Sequence, residues 1–251
     1  MSRFSPAALF ALALGCTDSP RGDAPSISVA APDTVAEQLL AGARRAMLET
    51  GRVQSLSATA TVQGPARTFQ TVVHSARDGR ARLDLGGHLL AGIGNVKGWV
   101  YDEEADSVAR LDDTTRSVIR GHELHMLTLA PETRLGEARG HGARSWAGEA
   151  ALAVEFRDDL GAPMRLYLRA RDTLPLGWEL VNHTGQGVAE VLATFSQWEK
   201  LDSVRLFRHA VFTQGRDRYV YQYTELRLNA APDSVFEPPA ARDPSRRRDG
   251  K

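Results

Sequence analysis

From residue 33 onward the chain switches between two hydrophobic periods. Val35, Leu39, Leu40, Ala43, Met47 and Leu48 recur at three- and four-residue intervals, which places them on one stripe of a helix. Asp33 or Thr34 can cap that helix, Glu37 stands three residues after Thr34 as in a capping box, and Gly51 can end it. After Gly51 the period drops to two. Leu56, Ala58, Ala60 and Val62 alternate with Ser57, Thr59 and Thr61, then Gly64-Pro65 turns the chain into a second β-rich run from Phe69 to Val73, which predicts a hairpin. Shorter strand-like runs follow at 80–85, 99–101 and 108–111.

The segment 117–139 breaks this rhythm. Val118, Ile119, Leu124, Leu127 and Leu129 do not alternate, and helix formers dominate up to Pro131, which predicts a short helix. From residue 150 the alternation returns at 151–156, 164–169, 176–181, 188–198, 205–213 and 219–228. Turn-forming clusters such as Gly161-Ala162-Pro163, Gly185-Gln186-Gly187 and Gly215-Arg216-Asp217 separate these runs. Helices are too few to supply parallel crossovers, so the strands predict one antiparallel meander that curls to enclose its apolar face. The expected fold class is mainly β with flanking α. It is a strongly curved, incomplete antiparallel barrel, with the long N-terminal helix and the short middle helix capping its open face. On that helix Leu39, Leu40, Ala43 and Met47 form the candidate face over the hollow.

The two ends carry a different message. An uncharged apolar run at 7–15 follows a single positive charge, Arg3, and stops at Cys16, the only cysteine in 251 residues. A bilayer span needs about 20 apolar residues, so this run reads as a signal sequence rather than a membrane helix. Ala13-Leu14-Gly15-Cys16 resembles the bacterial lipobox, which implies removal of 1–15 and an acyl modification, palmitate included, on Cys16. Thr17 in place of an aspartate favours, by the same resemblance, the outer membrane. Residues 16–32 are rich in Ser, Pro, Gly, Asp and Ala and read as a flexible tether, and 240–251 as a disordered polar tail. The remaining 33–239 is long enough for one sizeable core and is expected to form one domain.

Charge excludes more than it suggests. Lys plus Arg and Asp plus Glu each total 31, so no overall field points to nucleic acid, and Arg246-Arg247-Arg248 reads as a solvated end. No Gly-x-Ser-x-Gly elbow occurs, and Gly92 to Gly98 lacks the Gly-Lys-Ser/Thr of a phosphate loop. Asp112-Asp113 and Asp158-Asp159 stand beside turns, where carboxylates bond backbone amides. His122-Glu123-Leu124-His125 has its histidines three apart rather than the four a zincin needs, and even with His141 nearby it reads as two surface histidines. No metal and no cofactor are therefore expected.

Two further features invite a binding role. Gly86-Gly87-His88-Leu89-Leu90-Ala91-Gly92-Ile93-Gly94 sets apolar residues between glycines and reads as a loop, with Leu89, Leu90 and Ile93 as candidate lipid contacts at the mouth of the hollow. Tyr219, Tyr221 and Tyr223 share one face of a strand, as a core row or a stacking row for a ligand.

The closing phrases carry a family resemblance. Gly98-Trp99-Val100-Tyr101, Asp172-Thr173-Leu174-Pro175-Leu176, Tyr221-Gln222-Tyr223-Thr224 and the run from Leu228-Asn229 through Val235-Phe236-Glu237-Pro238-Pro239 are similar to the LolA/LolB-like superfamily of outer-membrane lipoprotein carriers and receptors. The resemblance implies a half-barrel capped by helices and a non-enzymatic activity, holding acyl chains of a lipid or lipoprotein in an apolar hollow. It implies an envelope lipoprotein facing the periplasm, monomeric, with the membrane (through Cys16), acyl chains and envelope proteins as partners. An alternative stays open: an interaction lipoprotein whose core is filled and binds no ligand.

Overall fold

The computed structural model describes residues 33–239 apart from 88, 96, 185 and 186. The expected signal peptide, Cys16, the tether and the basic tail lie outside the described residues. Helix α1 (Thr34–Ala46) opens the domain and is capped by Asp33, whose side chain accepts from the Val35 and Ala36 amides at 2.9 and 3.1 Å. It stops short of Gly51, because Leu48 already takes a left-handed φ of 60°. Six strands follow: β1 (Ser55–Gln63), β2 (Thr68–Ala76), β3 (Ala81–Asp84), β4 (Leu90–Ile93), β5 (Gly98–Asp102) and β6 (Ser107–Arg110). Helices α2 (Asp113–His122) and α3 (Leu124–Leu129) come next. Seven more strands end the fold: β7 (Arg139–Trp146), β8 (Glu149–Arg157), β9 (Pro163–Arg169), β10 (Pro175–Thr184), β11 (Gly187–Leu201), β12 (Val204–Gln214) and β13 (Asp217–Leu228).

Among the described residues all thirteen strands make one antiparallel sheet in the order β6-β5-β4-β3-β2-β1-β13-β12-β11-β10-β9-β8-β7. The first and last strands pair in the middle, and the two edges, β6 and β7, are neighbours in sequence. The chain must therefore cross the open side of the sheet between them, and α2 and α3 are that crossing. This is the incomplete curved barrel with flanking helices that the hydrophobic pattern predicts.

Alternation decides what faces inward. Along β13 the inward positions are Tyr219, Tyr221 and Tyr223, and a bulge opposite Thr59 and Ala60 then shifts the phase to Leu226. Ala58, Ala60 and Val62 of β1, Trp178 and Leu180 of β10, Val191, Ala193 and Phe195 of β11, and Phe207, Ala210 and Phe212 of β12 meet them in the main core. From α1 the core takes Ala36, Leu40, Ala43 and Met47, with Leu39 half-buried against it. Val35 and Leu48, on the predicted stripe, stay exposed at the helix ends. Burying a Leu or Met side chain contributes about 1.5–3 kcal/mol, which is enough to hold α1 across the sheet.

Two expectations need correction here, and one strand has no sequence signal. The middle segment is two helices, not one, broken at Glu123. Leu90 and Ile93 belong to strand β4 rather than to a loop, because their backbones pair with β3 and β5 on both sides. Strand β7 was not legible, since an edge strand with both faces largely in solvent has no alternation to show.

Candidate functional site

α3 plugs the hollow. Every residue from Leu124 to Leu129 is buried, including His125 and Thr128. The Thr128 hydroxyl donates to Leu124 O at 2.6 Å and accepts from Trp178 Nε1 at 3.0 Å, so the polar group is satisfied inside the core. His125 lies against Phe207 and Tyr223, with ring centroids 4.0 and 4.4 Å away.

Glu123, at the break between the helices, points the other way. Its carboxylate takes Arg134 through Nε at 3.1 Å and Nη2 at 2.9 Å and also pairs with Arg120, and the side chains of Glu123 and Arg134 are both fully buried. Arg134 further donates to Ala76 O, and Arg120 to Gly79 O at 3.1 Å, so the cluster locks the helix pair to the β2–β3 turn.

Beyond α3 the hollow stays open at one end. A pocket of about 180 Å³ lies between the last turn of α2 and the inner face of the sheet. Phe69 (β2), Leu85, Leu180 and Asn182 (β10), Val191 (β11), Phe212 and Gln214 (β12) and Tyr219 and Tyr221 (β13) line it, with Gly121 and His122 above. Registers Leu180↔Val191 and Phe212↔Tyr219 bring these side chains together from four neighbouring strands. His122 is held by Val118 O, 2.8 Å from Nδ1, and by the Tyr221 hydroxyl, 3.1 Å from Nε2. Burial lowers the His122 pKa and raises that of Tyr221, so both are neutral.

The sequence-predicted residues sit elsewhere. Leu40, Ala43 and Met47 pack into the filled part of the hollow, with Leu39 against them, and none of the four lines the pocket. Leu89 packs beside a second cluster formed by Val73, Ala81, Leu83, Ala91, Ile93, Leu111 and Ile119. Ile93 reaches a larger, open groove of about 840 Å³ along the β4–β6 edge, where Lys97, Arg110, Arg116 and Glu237 make the lining mixed and charged. The apolar pocket is the better binding site, because its walls are side chains withdrawn from water rather than a solvated edge.

His125 is buried and His122 half-buried, not on the surface as expected, and they do not converge. The helix break turns one onto Tyr221 and the other onto Phe207. Among the described residues no group of three His, Cys, Asp or Glu side chains could hold a metal. The acidic pairs do serve turns: Asp112 caps α2 through Thr115 N at 2.7 Å, and Asp158 accepts from Leu160 and Ala162 amides at 3.0 and 2.8 Å. Trp99, outside the barrel, donates to Phe236 O at 2.9 Å, which fastens the closing Asp233–Phe236 turn to the sheet.

Known structures share this architecture. A LolA superfamily protein from Nitrosomonas europaea superposes with a TM-score of 0.59 at 12% identity, over 81% of this chain and 97% of that one. The fold is LolA-like. A putative outer membrane lipoprotein-sorting protein domain from Vibrio parahaemolyticus gives 0.55 at 15% identity, over 78% and 94% of the two chains. A DUF1329 family protein from Desulfovibrio piger gives 0.56 at 14%, over 82% and 97%. No family model and no curated protein matches the sequence. In the LolA-like frame the pocket occupies the inner side of the half-barrel beneath its crossing helix. The sequence missed Phe69, Leu180, Asn182, Val191, Phe212 and Gln214 as a set, because alternation tells inside from outside but not which end of an inner face is left uncovered.

Proposed function

We propose that this chain is an envelope lipoprotein that shelters a hydrocarbon segment of a lipid or lipoprotein in the pocket under α2, without performing chemistry. The observation that carries the reading is the pocket itself: apolar, on the inner face of a LolA-like sheet, and about 180 Å³ in volume. A dry apolar cavity of roughly 150 Å³ holds a benzene ring. The pocket therefore accepts a short stretch of acyl chain, at about 0.8 kcal/mol per methylene, while a whole chain requires α2 to lift. The neighbours named for lipoprotein sorting support the same role.

The membrane connection is part of the proposal. Residues 1–15 are removed as a signal peptide, Cys16 is acylated, and 16–32 tether the monomeric domain 33–239 to the outer membrane, facing the periplasm. About 16 flexible residues span roughly 20–25 Å, a reach suited to contact near one membrane rather than transport between two. Among the described residues no helix is long and apolar enough to cross a membrane.

A second reading has its own support. α3 is buried along its whole length in the hollow, as it would be in a protein that works through envelope partners without a ligand. Native mass spectrometry on residues 17–251, expressed with an exported leader and taken from a bacterial periplasm, separates the two. Co-purified acyl species are expected. A clean apo mass, together with no binding of a fluorescent fatty-acyl ester, would shift the assignment to the filled-core reading.

A further inference from the structure

The polar atoms of the pocket restrict which lipid can enter it, an inference that rests on the acyl-binding reading above. The lining contains no Lys, Arg, Asp or Glu, and its polar side chains are His122, Asn182, Gln214, Tyr219 and Tyr221. Arg67 stands over the face of Phe69 at 5.9 Å but is exposed and does not line the pocket. A carbonyl can only accept, so the His122 nitrogen 2.8 Å from Val118 O carries the ring proton. The other nitrogen of this neutral ring is then an acceptor, and the Tyr221 hydroxyl 3.1 Å away donates to it. With its proton used in that way, Tyr221 offers the pocket only the lone pairs of its oxygen.

We infer that the pocket selects uncharged lipid with a hydroxyl at its polar end, a long-chain alcohol or partial glyceride, and rejects the ionised fatty acid. A hydroxyl can donate to the Tyr221 oxygen and accept from the amides of Asn182 or Gln214. An ester lacks the donor but carries no charge. A carboxylate in the same place meets the Tyr221 oxygen acceptor against acceptor and finds only the neutral amides of Asn182 or Gln214 as donors, out of water and without a cation, so its lost solvation is replaced only in part.

The test is displacement of a fluorescent fatty-acyl ester from residues 17–251 by dodecanol, methyl dodecanoate and dodecanoate at about pH 8, where the acid is ionised. Dodecanol is expected to displace best, the ester next, and the acid to be at least about tenfold weaker. Gln214→Lys, at the half-buried end of β12, adds a cation at the lining and is expected to raise acid affinity at least to that of the alcohol. Equal displacement by acid and alcohol, as would follow if the carboxylate stayed outside near Arg67, overturns the inference. So does a Gln214→Lys chain with an unchanged thermal midpoint and no gain for the acid. Failure of the fluorescent ester itself to bind is a different result, and it removes the acyl-binding reading along with this one.

Discussion

His125 lies flat on Phe207, with ring centroids 4.0 Å apart and planes 9° from parallel, and its Nε2 donates to the carbonyl of that same residue at 2.9 Å. One ring proton is thereby placed on Nε2, and a second would have to sit on Nδ1 inside an aromatic core.

That arrangement predicts acid sensitivity. Burial pushes the His125 pKa down from 6.5 to about 4, the Phe207 hydrogen bond opposes the shift, and Arg208 adds to it. The unfolded chain binds the proton first as pH falls. The stability contributed by the neutral ring is thus complete above pH 6.5 and is lost between 6.5 and 4, by up to about 3 kcal/mol. Urea midpoints measured across that window should fall steeply for the natural chain. They should fall less for His125→Gln, with the remaining slope owed partly to half-buried His122, whose pKa is lowered in the same direction. Equal slopes for both chains would contradict this.

The Glu123–Arg134 pair makes a second prediction. Glu123→Leu leaves Arg134 buried with no carboxylate and should cost about 3–5 kcal/mol in denaturant unfolding. Adding Arg134→Met should recover part of the loss, because the uncompensated charge is then gone. A single substitution costing under about 1 kcal/mol would show that the pair does not hold the helix break in place.

The pocket can be closed without dismantling the core. Val191 is 4% exposed and faces the cavity opposite Leu180. Val191→Trp should fill it, lowering affinity for a fluorescent acyl ester at least about tenfold, while overpacking lowers stability by about 1–3 kcal/mol. Undiminished binding would place the lipid site elsewhere, with the β4–β6 groove the next place to look.

Lipidation is tested directly. Cys16→Ser, expressed with its own leader, should lose labelled palmitate and move from the membrane to the soluble fraction, since the single thiol is gone. Incorporation of label by the variant would refute acylation at this position.

Much of this protein follows from its sequence alone. Alternation in segments such as Leu56 to Val62 decides strand and facing, because successive side chains on a pleated strand point to opposite sides whatever the strand pairs with. The spacing of Leu40, Ala43 and Met47 decides the first helix and its buried stripe for the equivalent reason. Turn residues and scarce helices then leave an antiparallel meander as the economical arrangement. The tertiary structure decided the rest. Strand β7, an exposed edge, has no pattern to read, and Leu90 and Ile93 look like a loop until partners appear on both sides of them. His122 and His125 look like surface residues until the crossing between the two sheet edges carries them inward onto Tyr221 and Phe207. Whether a curved sheet is filled or open depends on how far the crossing helices descend into it, and that is a property of volumes meeting across the fold. No local period encodes it.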